Sequence, residues 1–337
     1  MILFKRFLGY LKNNFFFVLL ICICLIVSFV KLPYDVEMPG GLIDLSERVK
    51  VNGDKVPVEG SFNMAYVSVA QGSIPYILYG LLNDEWDVVK SSDNMLPNES
   101  VEDANKRSRL YLEQSKNSAV LAALNEAGIK SEKKNKKNNV IYIYNEAKTS
   151  LMVGDNILSV DGIEINDVSE LVKKINDGNN ADILEFKVLR NGKEKAAKAE
   201  IVNIDGEKKI GVASLTTFDI DSPYKVELDS AASESGSSGG LMMGLMVYSG
   251  IVGKDLTRGR VIVGTGTIDE FGNVGEIGGI KHKVNGAAKK RIDIFLVPSD
   301  NYEEAVKVKE ENNYEFEIVK VSSLKEAIQY LEGEVSE

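Results

Sequence analysis

Histidine occurs once in the 337 residues, cysteine twice, tryptophan once and proline seven times. A Cys/His zinc centre or a disulfide framework needs more ligands or partners than this. A serine-histidine-acid triad would have to use His282, since there is no other histidine. Both cysteines, Cys22 and Cys24, lie in the apolar run 15–30, so the chain after Lys31 has no thiol and suits an oxidising or exposed compartment. An excess of basic charge is also missing. With 40 Lys and Arg against 50 Asp and Glu the net charge is −10, which gives no broad attraction to nucleic acid. There is no Gly-x-x-x-x-Gly-Lys-Ser/Thr loop for a nucleotide, and neither a cofactor nor a metal is expected.

What is present begins with the apolar run itself, broken only by Ser28. Lys5, Arg6 and Lys12 precede it and no acidic residue does, the pattern of a cytoplasmic flank. A cleaved signal peptide would need a small-x-small site, and Ser28-Phe-Val-Lys-Leu-Pro-Tyr34 offers none. Bulky Ile before each cysteine does not fit a lipidation box. The pattern predicts a cytoplasmic N-terminus over 1–12 and a single-pass transmembrane anchor over 13–32 in the cell membrane, with the rest of the chain extracellular.

Residues 33–130 alternate short apolar runs with turns such as Asn52-Gly53, and then show helical spacing at Leu110, Leu112, Ala119, Val120, Ala123 and Leu124, with Gly128 placed as a cap. This predicts a β-rich and helical segment of unknown role, with Trp86 as packing. Five lysines and no apolar side chain in 130–137 read as a solvated linker and mark a boundary. Beyond it come the strand Val140-Ile-Tyr-Ile-Tyr144, the run Gly154-Asp-Asn-Ile-Leu-Ser-Val-Asp-Gly162, a helix over 168–175, the strand Leu184-Glu-Phe-Lys-Val-Leu189 and the hairpin Arg190-Asn-Gly-Lys193. On the Gly-Asp-x-Ile-Leu-x-Val-Asp-Gly run, the helix and the Arg-Asn-Gly turn, residues 138–204 resemble a PDZ domain. Such domains take a peptide as an added strand. A Gly-Leu-Gly-Phe-like carboxylate loop is missing from its expected place, which leaves a spacer or gate as the other reading.

Ser233-Glu-Ser-Gly-Ser-Ser-Gly-Gly240 is linker-like in composition, yet it runs straight into Leu241-Met-Met-Gly-Leu-Met-Val247, apolar all round and so a buried helix. A serine at that helix mouth has backbone amides aimed at a forming oxyanion. It also needs a base. Lys281 and His282 adjoin each other in Gly278-Gly-Ile-Lys-His-Lys-Val-Asn-Gly-Ala-Ala288 and on a helix point about 100° apart. Lys281 shares the apolar stripe with Val284 and Ala288, and burial there would lower its pKa.

Over 207–333 the serine box, the Gly264-Thr-Gly266 strand end, Gly-Gly-Ile-Lys281 with Lys283 and Ala287-Ala288, and the strand Ile292-Asp-Ile-Phe-Leu-Val-Pro298 fall in an order that resembles the proteolytic domain of the Lon family of serine proteases. The resemblance implies Ser238 as nucleophile, Lys281 as general base, Thr265 as the residue that orients the lysine, and Gly236, Gly239 and Gly240 as the oxyanion loop. The family's usual Gly-Pro-Ser-Ala-Gly is Gly-Ser-Ser-Gly-Gly here, which loosens the loop and makes Ser237 a rival. The order of segments is similar to that of the membrane-anchored, extracytoplasmic Lon-like proteases of Gram-positive bacteria.

The expected fold class is therefore α+β multidomain: an N-terminal transmembrane helix, a small β-rich segment, a PDZ-like domain and a Lon-type α/β proteolytic domain. The expected function is ATP-independent cleavage of peptides or extended segments of secreted and membrane proteins by a Ser-Lys dyad. Partners would be a peptide or protein substrate and the membrane, with no nucleic acid and no nucleotide, and a homo-oligomer stays open. Three competing readings are a non-catalytic peptide-binding receptor or scaffold, a sensor that cleaves only itself, and an α/β-hydrolase-type esterase pairing Ser238 with His282 and Asp255 or Asp269. The glycines from Gly264 to Gly278 straddle a turn instead of opening a helix, against a dinucleotide loop.

Overall fold

The computed structural model describes residues 9–10, 12–176, 182–204 and 206–333. Most of the expected cytoplasmic segment 1–12, including Lys5 and Arg6, lies outside them. Helix α1 (Phe15–Phe29) takes the apolar run and none of its residues is buried. Its 15 residues rise roughly 22 Å at about 1.5 Å each, short of the ~30 Å of a hydrocarbon core. Among the described residues no helix is long and apolar enough to cross a membrane. The expected 13–32 span ends early because Lys31 already opens strand β1 (Lys31–Asp44), opposite Ser73 in the ladder.

That strand also corrects the domain reading. Residues 33–130 are not a separate unit, because β1, β2 (Ser61–Ser73) and β3 (Asp87–Lys90) join β9 (Val261–Gly264), β10 (Ile294–Pro298) and β11 (Glu317–Val321) in one six-stranded sheet of order β11-β10-β9-β2-β1-β3. β2, β9, β10 and β11 run parallel, β1 pairs antiparallel with β2, and the edge strand β3 pairs antiparallel with β1. Alternation along β10 serves two cores. Ile294 and Leu296 face α5 (Gly240–Val252), α3 (Val101–Glu126) and α8 (Leu324–Glu332), whereas Phe295 and Val297 face α6 (Ile280–Ala288) and α7 (Tyr302–Glu311). A strand buried on both faces reads as the continuous apolar run seen in the sequence.

α3 starts on Ser100, whose side chain accepts from the Asp103 N–H, and is longer than its apolar spacing suggested. Its buried Ala119, Ala122 and Ala123 let it lie close against α5, every residue of which from Gly240 to Val247 is buried. A flexible linker at 233–240 is thereby ruled out as the setting of the serine.

Between α3 and α5 the chain leaves to build a second, wholly antiparallel sheet of order β7-β6-β5-β4-β8, from β4 (Glu132–Ile143), β5 (Asn156–Val160), β6 (Ile183–Arg190), β7 (Lys193–Glu200) and β8 (Val212–Asp221). The lysine run expected as a linker is the first half of β4. Carboxylates make it a strand: Lys134 pairs with Asp221, Lys133 with Glu270 and Lys136 with Asp167. The β6–β7 hairpin turns on Asn191 and Gly192, both at positive φ (51° and 72°), the geometry that Asn-Gly supplies without strain. Helix α4 (Val168–Asn176) closes this sheet's core with Leu171 and Ile175 against Val140, Ile157, Leu184 and Phe186.

Candidate active site

Ser238 sits in the turn that enters α5, and three elements fix its backbone. Its carbonyl accepts from the Gly266 N–H at 2.7 Å and from Thr265 Oγ1 at 3.1 Å, while the Leu241 N–H donates back to the Gly266 carbonyl at 3.1 Å. Thr265 and Gly266 follow β9 directly, so the central sheet holds the serine from one side. α3 holds it from the other. The Gly236 N–H donates to the Ser108 carbonyl at 2.9 Å, and buried Ser115 donates its hydroxyl to the Ser237 carbonyl at 3.0 Å.

The glycines of the box are there for clearance. A Cβ at Gly239 would collide with the Met64 thioether, and one at Gly240 would stand 2.7 Å from Ile268 Cγ2 and 2.9 Å from Ser115 Oγ. Gly236 has φ of 87°, the left-handed region. Their amides are used unevenly. Gly240 N–H donates to the Ser237 carbonyl at 3.3 Å and Gly236 N–H is taken by Ser108, so the expected oxyanion role of Gly236 and Gly240 is not open to them. Among the described residues no acceptor faces the N–H of Ser238 or Gly239. Those two amides remain available for a developing negative charge.

The lysine is not the one the apolar stripe suggested. Lys281 Nζ donates to Asp87 Oδ1 at 2.8 Å on β3, with about a third of its side chain in solvent. Lys283 is 4% exposed and its Nζ donates to Thr265 Oγ1 at 3.1 Å, the same hydroxyl that donates to the Ser238 carbonyl. The Thr265 hydroxyl, expected beside Lys281, meets Lys283 instead. The reason is helical phase: Ile280, Lys283, Val284 and Ala287 form the i, i+3, i+4, i+7 stripe of α6 and all are buried. This signal was legible in the sequence. Burial pushes the Lys283 ammonium down to about 8 from the ordinary 10.5, because the charged form loses water and gains no carboxylate among the described residues.

His282 is also buried, but it turns toward β3 and β1. Its Nε2 lies 3.0 Å from Asp87 Oδ2 and 3.9 Å from Glu37 Oε2, and its Nδ1 has no hydrogen-bond partner among the described residues. Asp255 and Asp269, the acids of the esterase reading, accept backbone N–H groups of residues 59 and 257 and of residues 271 and 273. No serine-histidine-acid triad is assembled from them. Among the described residues no cluster of His, Cys, Asp and Glu could hold a metal ion.

A cleft of about 510 Å³ is bounded by Ser108 and Asn105 of α3, Val67 and Gln71 of β2, and Gly278 and Gly279 at the start of α6, and it meets the serine box at Ser108, whose carbonyl holds Gly236.

Comparison with known sequences places most of the chain in one family. The profile of the Lon protease (S16) C-terminal proteolytic domain matches residues 117–332. A Lon protease from Campylobacter jejuni subsp. jejuni is 29% identical over 210 residues, 59% of this chain and 24% of that protein. The chain thus spans about a quarter of the length of the curated relative it matches. A buried lysine tied through a threonine to the serine of a glycine-rich helix entry lies within the matched residues, and the chain belongs to the family of the Lon protease (S16) C-terminal proteolytic domain, a family of serine peptidases.

Proposed function

We propose that the protein is an endopeptidase in which Ser238 is the nucleophile and Lys283 its general base. The observation that carries this is the buried Lys283 amine on Thr265 Oγ1, with Thr265 in turn on the Ser238 carbonyl. Ser238 Oγ attacks the scissile carbonyl carbon and its proton passes to neutral Lys283 Nζ. The carbonyl oxygen, now negative, is received by the N–H groups of Ser238 and Gly239. Collapse breaks the C–N bond and Lys283 returns the proton to the departing amine. Water, deprotonated by the same lysine, then attacks the acyl carbon, the C–Oγ bond breaks, and Lys283 returns the proton to Ser238 Oγ. No nucleotide enters these steps, so substrates would be short peptides or segments already extended.

The second sheet supports a substrate-gathering role. A groove of about 790 Å³ runs between α4 and the open edge of β8, lined by Leu171, Val172, Ile175, Ile210, Gly211 and Val212. Gly211, at φ of 66°, immediately precedes the edge strand, and an incoming peptide would add to β8 as a further strand in the manner of a PDZ domain. This loop lies at 210–212, after the boundary drawn from the sequence. The exposed apolar helix α1 favours attachment to a membrane, with Lys12 before it and Lys31 after it able to reach the headgroups.

Covalent labelling by a peptidyl phosphonate tests the dyad. Labelling lost in Ser238→Ala and in Lys283→Ala, and kept in Lys281→Ala and His282→Ala, supports it. Labelling that survives Lys283→Ala but not His282→Ala would return the esterase reading, and no labelling of the intact chain would favour a receptor. N-terminal shortening seen in the wild type alone, with added peptides left uncut, would indicate a self-cleaving sensor.

A further inference from the structure

The region that follows β2 is unlike any other part of the body. From Ser73 to Leu82 the chain carries no charged residue, and helix α2 (Ile74–Gly80) with the turn after it holds Tyr76, Leu78, Tyr79, Leu81 and Leu82 out in solvent, the last two 69% and 87% exposed. Trp86 completes the patch, stacked on Tyr76 with ring centroids 6.1 Å apart and edge-on to Tyr79 at 4.6 Å. Soluble surfaces seldom gather this much contiguous apolar area without something to cover it.

Its position says what covers it. Ser73, which precedes α2, pairs in the ladder with Lys31, two residues beyond the end of α1. α1 therefore reaches the body at the same end of the sheet where α2 projects, and the two helices touch. We infer that α2 and residues 81–86 form a lip that lies in the headgroup–acyl boundary of a bilayer, beside the point where α1 enters it. The inference rests on the membrane attachment proposed for α1. Aromatic rings with one polar tip and leucines that project furthest are the composition of an interfacial element, and the acids Asp84 and Glu85, between Leu82 and Trp86, would have to stay on its headgroup side. A second copy of the chain would cover the lip but would leave α1 bare.

The lip fixes more than attachment. Trp86 is followed at once by Asp87, which holds both Lys281 and His282 of the helix that carries Lys283. The substrate cleft shares Gln71, Ser91 and Met95 with a second hollow of about 600 Å³ that reaches Lys31 and Tyr34, where α1 meets the body. With the lip in the boundary, this path opens at the bilayer surface. The substrate class it selects is the extended stretch of polypeptide just outside a membrane span.

The chain has one tryptophan, Trp86, which reports on the lip directly. The full chain would be bound to phosphatidylcholine–phosphatidylglycerol vesicles with bromine placed high on the acyl chain. Expected is loss of Trp86 emission in the vesicle-bound protein, abolished by the double substitution Leu81→Asp and Leu82→Asp while the protein still floats with the vesicles through α1. Vesicle-bound protein with unquenched Trp86, or quenching that the double substitution leaves intact, overturns the lip and spares the reading of α1. Failure to float at all overturns both.

Discussion

Lys283 Nζ and Thr265 Oγ1 stand 3.1 Å apart, and both side chains are closed off from solvent. A lysine placed there meets the ordinary cost of burying a charge, and the fold provides a single neutral hydroxyl to offset it. That cost is what makes the amine available as a base near neutral pH.

Replacing Lys283 by Ala should lower peptide hydrolysis by about 10²–10⁴-fold, the usual contribution of a positioned base. Lys281→Ala should change kcat by less than about threefold, since its pair with Asp87 is partly in solvent and such pairs contribute about 1 kcal/mol or less. Steady-state rates on one fluorogenic peptide compare the two. Equal losses would place the base elsewhere.

With the Lys283 pKa near 8, the fraction of neutral amine rises about tenfold per pH unit below that value. kcat/KM should follow, rising from pH 6 and levelling above about 8. A profile flat across this range would exclude Lys283 as the titrating base.

Stability should move in the same direction. The folded pKa of about 8 lies below the unfolded 10.5, so the penalty is full below pH 8 and is relieved between 8 and 10.5, where the unfolded chain binds more protons. Lys283→Met should therefore abolish activity yet stabilise the fold at pH 7, by up to roughly 3 kcal/mol from the fall of the lysine pKa from 10.5 to about 8, and raise Tm accordingly. Thermal unfolding of both proteins at pH 7 and pH 10 checks this, and the gap between them should narrow at the higher pH.

Ser115 acts on the serine through one peptide plane. Its hydroxyl holds the Ser237 carbonyl, and the Ser238 N–H on the same plane must point the opposite way. Ser115→Ala should lower kcat about tenfold with little change in KM, and should weaken a peptide aldehyde, which forms the oxyanion, more than a product peptide, which does not. Equal weakening of both would make the contact merely structural.

Asp155 is fully buried and receives Arg190 twice, at 2.6 and 2.7 Å, as well as the Met152 N–H. Asp155→Ala leaves the guanidinium without its partner and should destabilise the second sheet by about 3–5 kcal/mol. Hydrogen exchange should show β5 and β6 opening first, with phosphonate labelling of Ser238 retained.

Much of the site could be read from the sequence, because its elements are short and locally marked. The serine box, the buried helix after it and Thr265 all lie where their glycines and apolar runs indicate. Lys281 was expected to be the buried lysine because two stripes can be drawn through 280–288, and it is the one through Ile280, Lys283 and Ala287 that faces the core. The amides were misjudged for another reason: which N–H stays unused depends on Ser108 and on the Ser237 carbonyl, contacts that no spacing reports. Residues 33–130 looked independent because β1 and β2 are hairpin-like in pattern, and the parallel partner of β2, β9, lies about 200 residues away. The lysines of 130–137 looked like a linker because their carboxylate partners are dispersed over Asp167, Asp221 and Glu270.

That long separation of β2 from β9 bears on when the protein becomes dangerous. Thr265 and Gly266 are positioned by β9, which is lodged between β2 and β10, so three stretches near residues 61, 261 and 294 must meet before Ser238 has its brace. Contacts so distant in the chain form late in folding. A nascent chain still threading out of the ribosome, or through a translocation pore, holds the serine and the lysine but no means of bringing them together. On the proposed mechanism, hydrolysis waits until synthesis has passed the last of those strands.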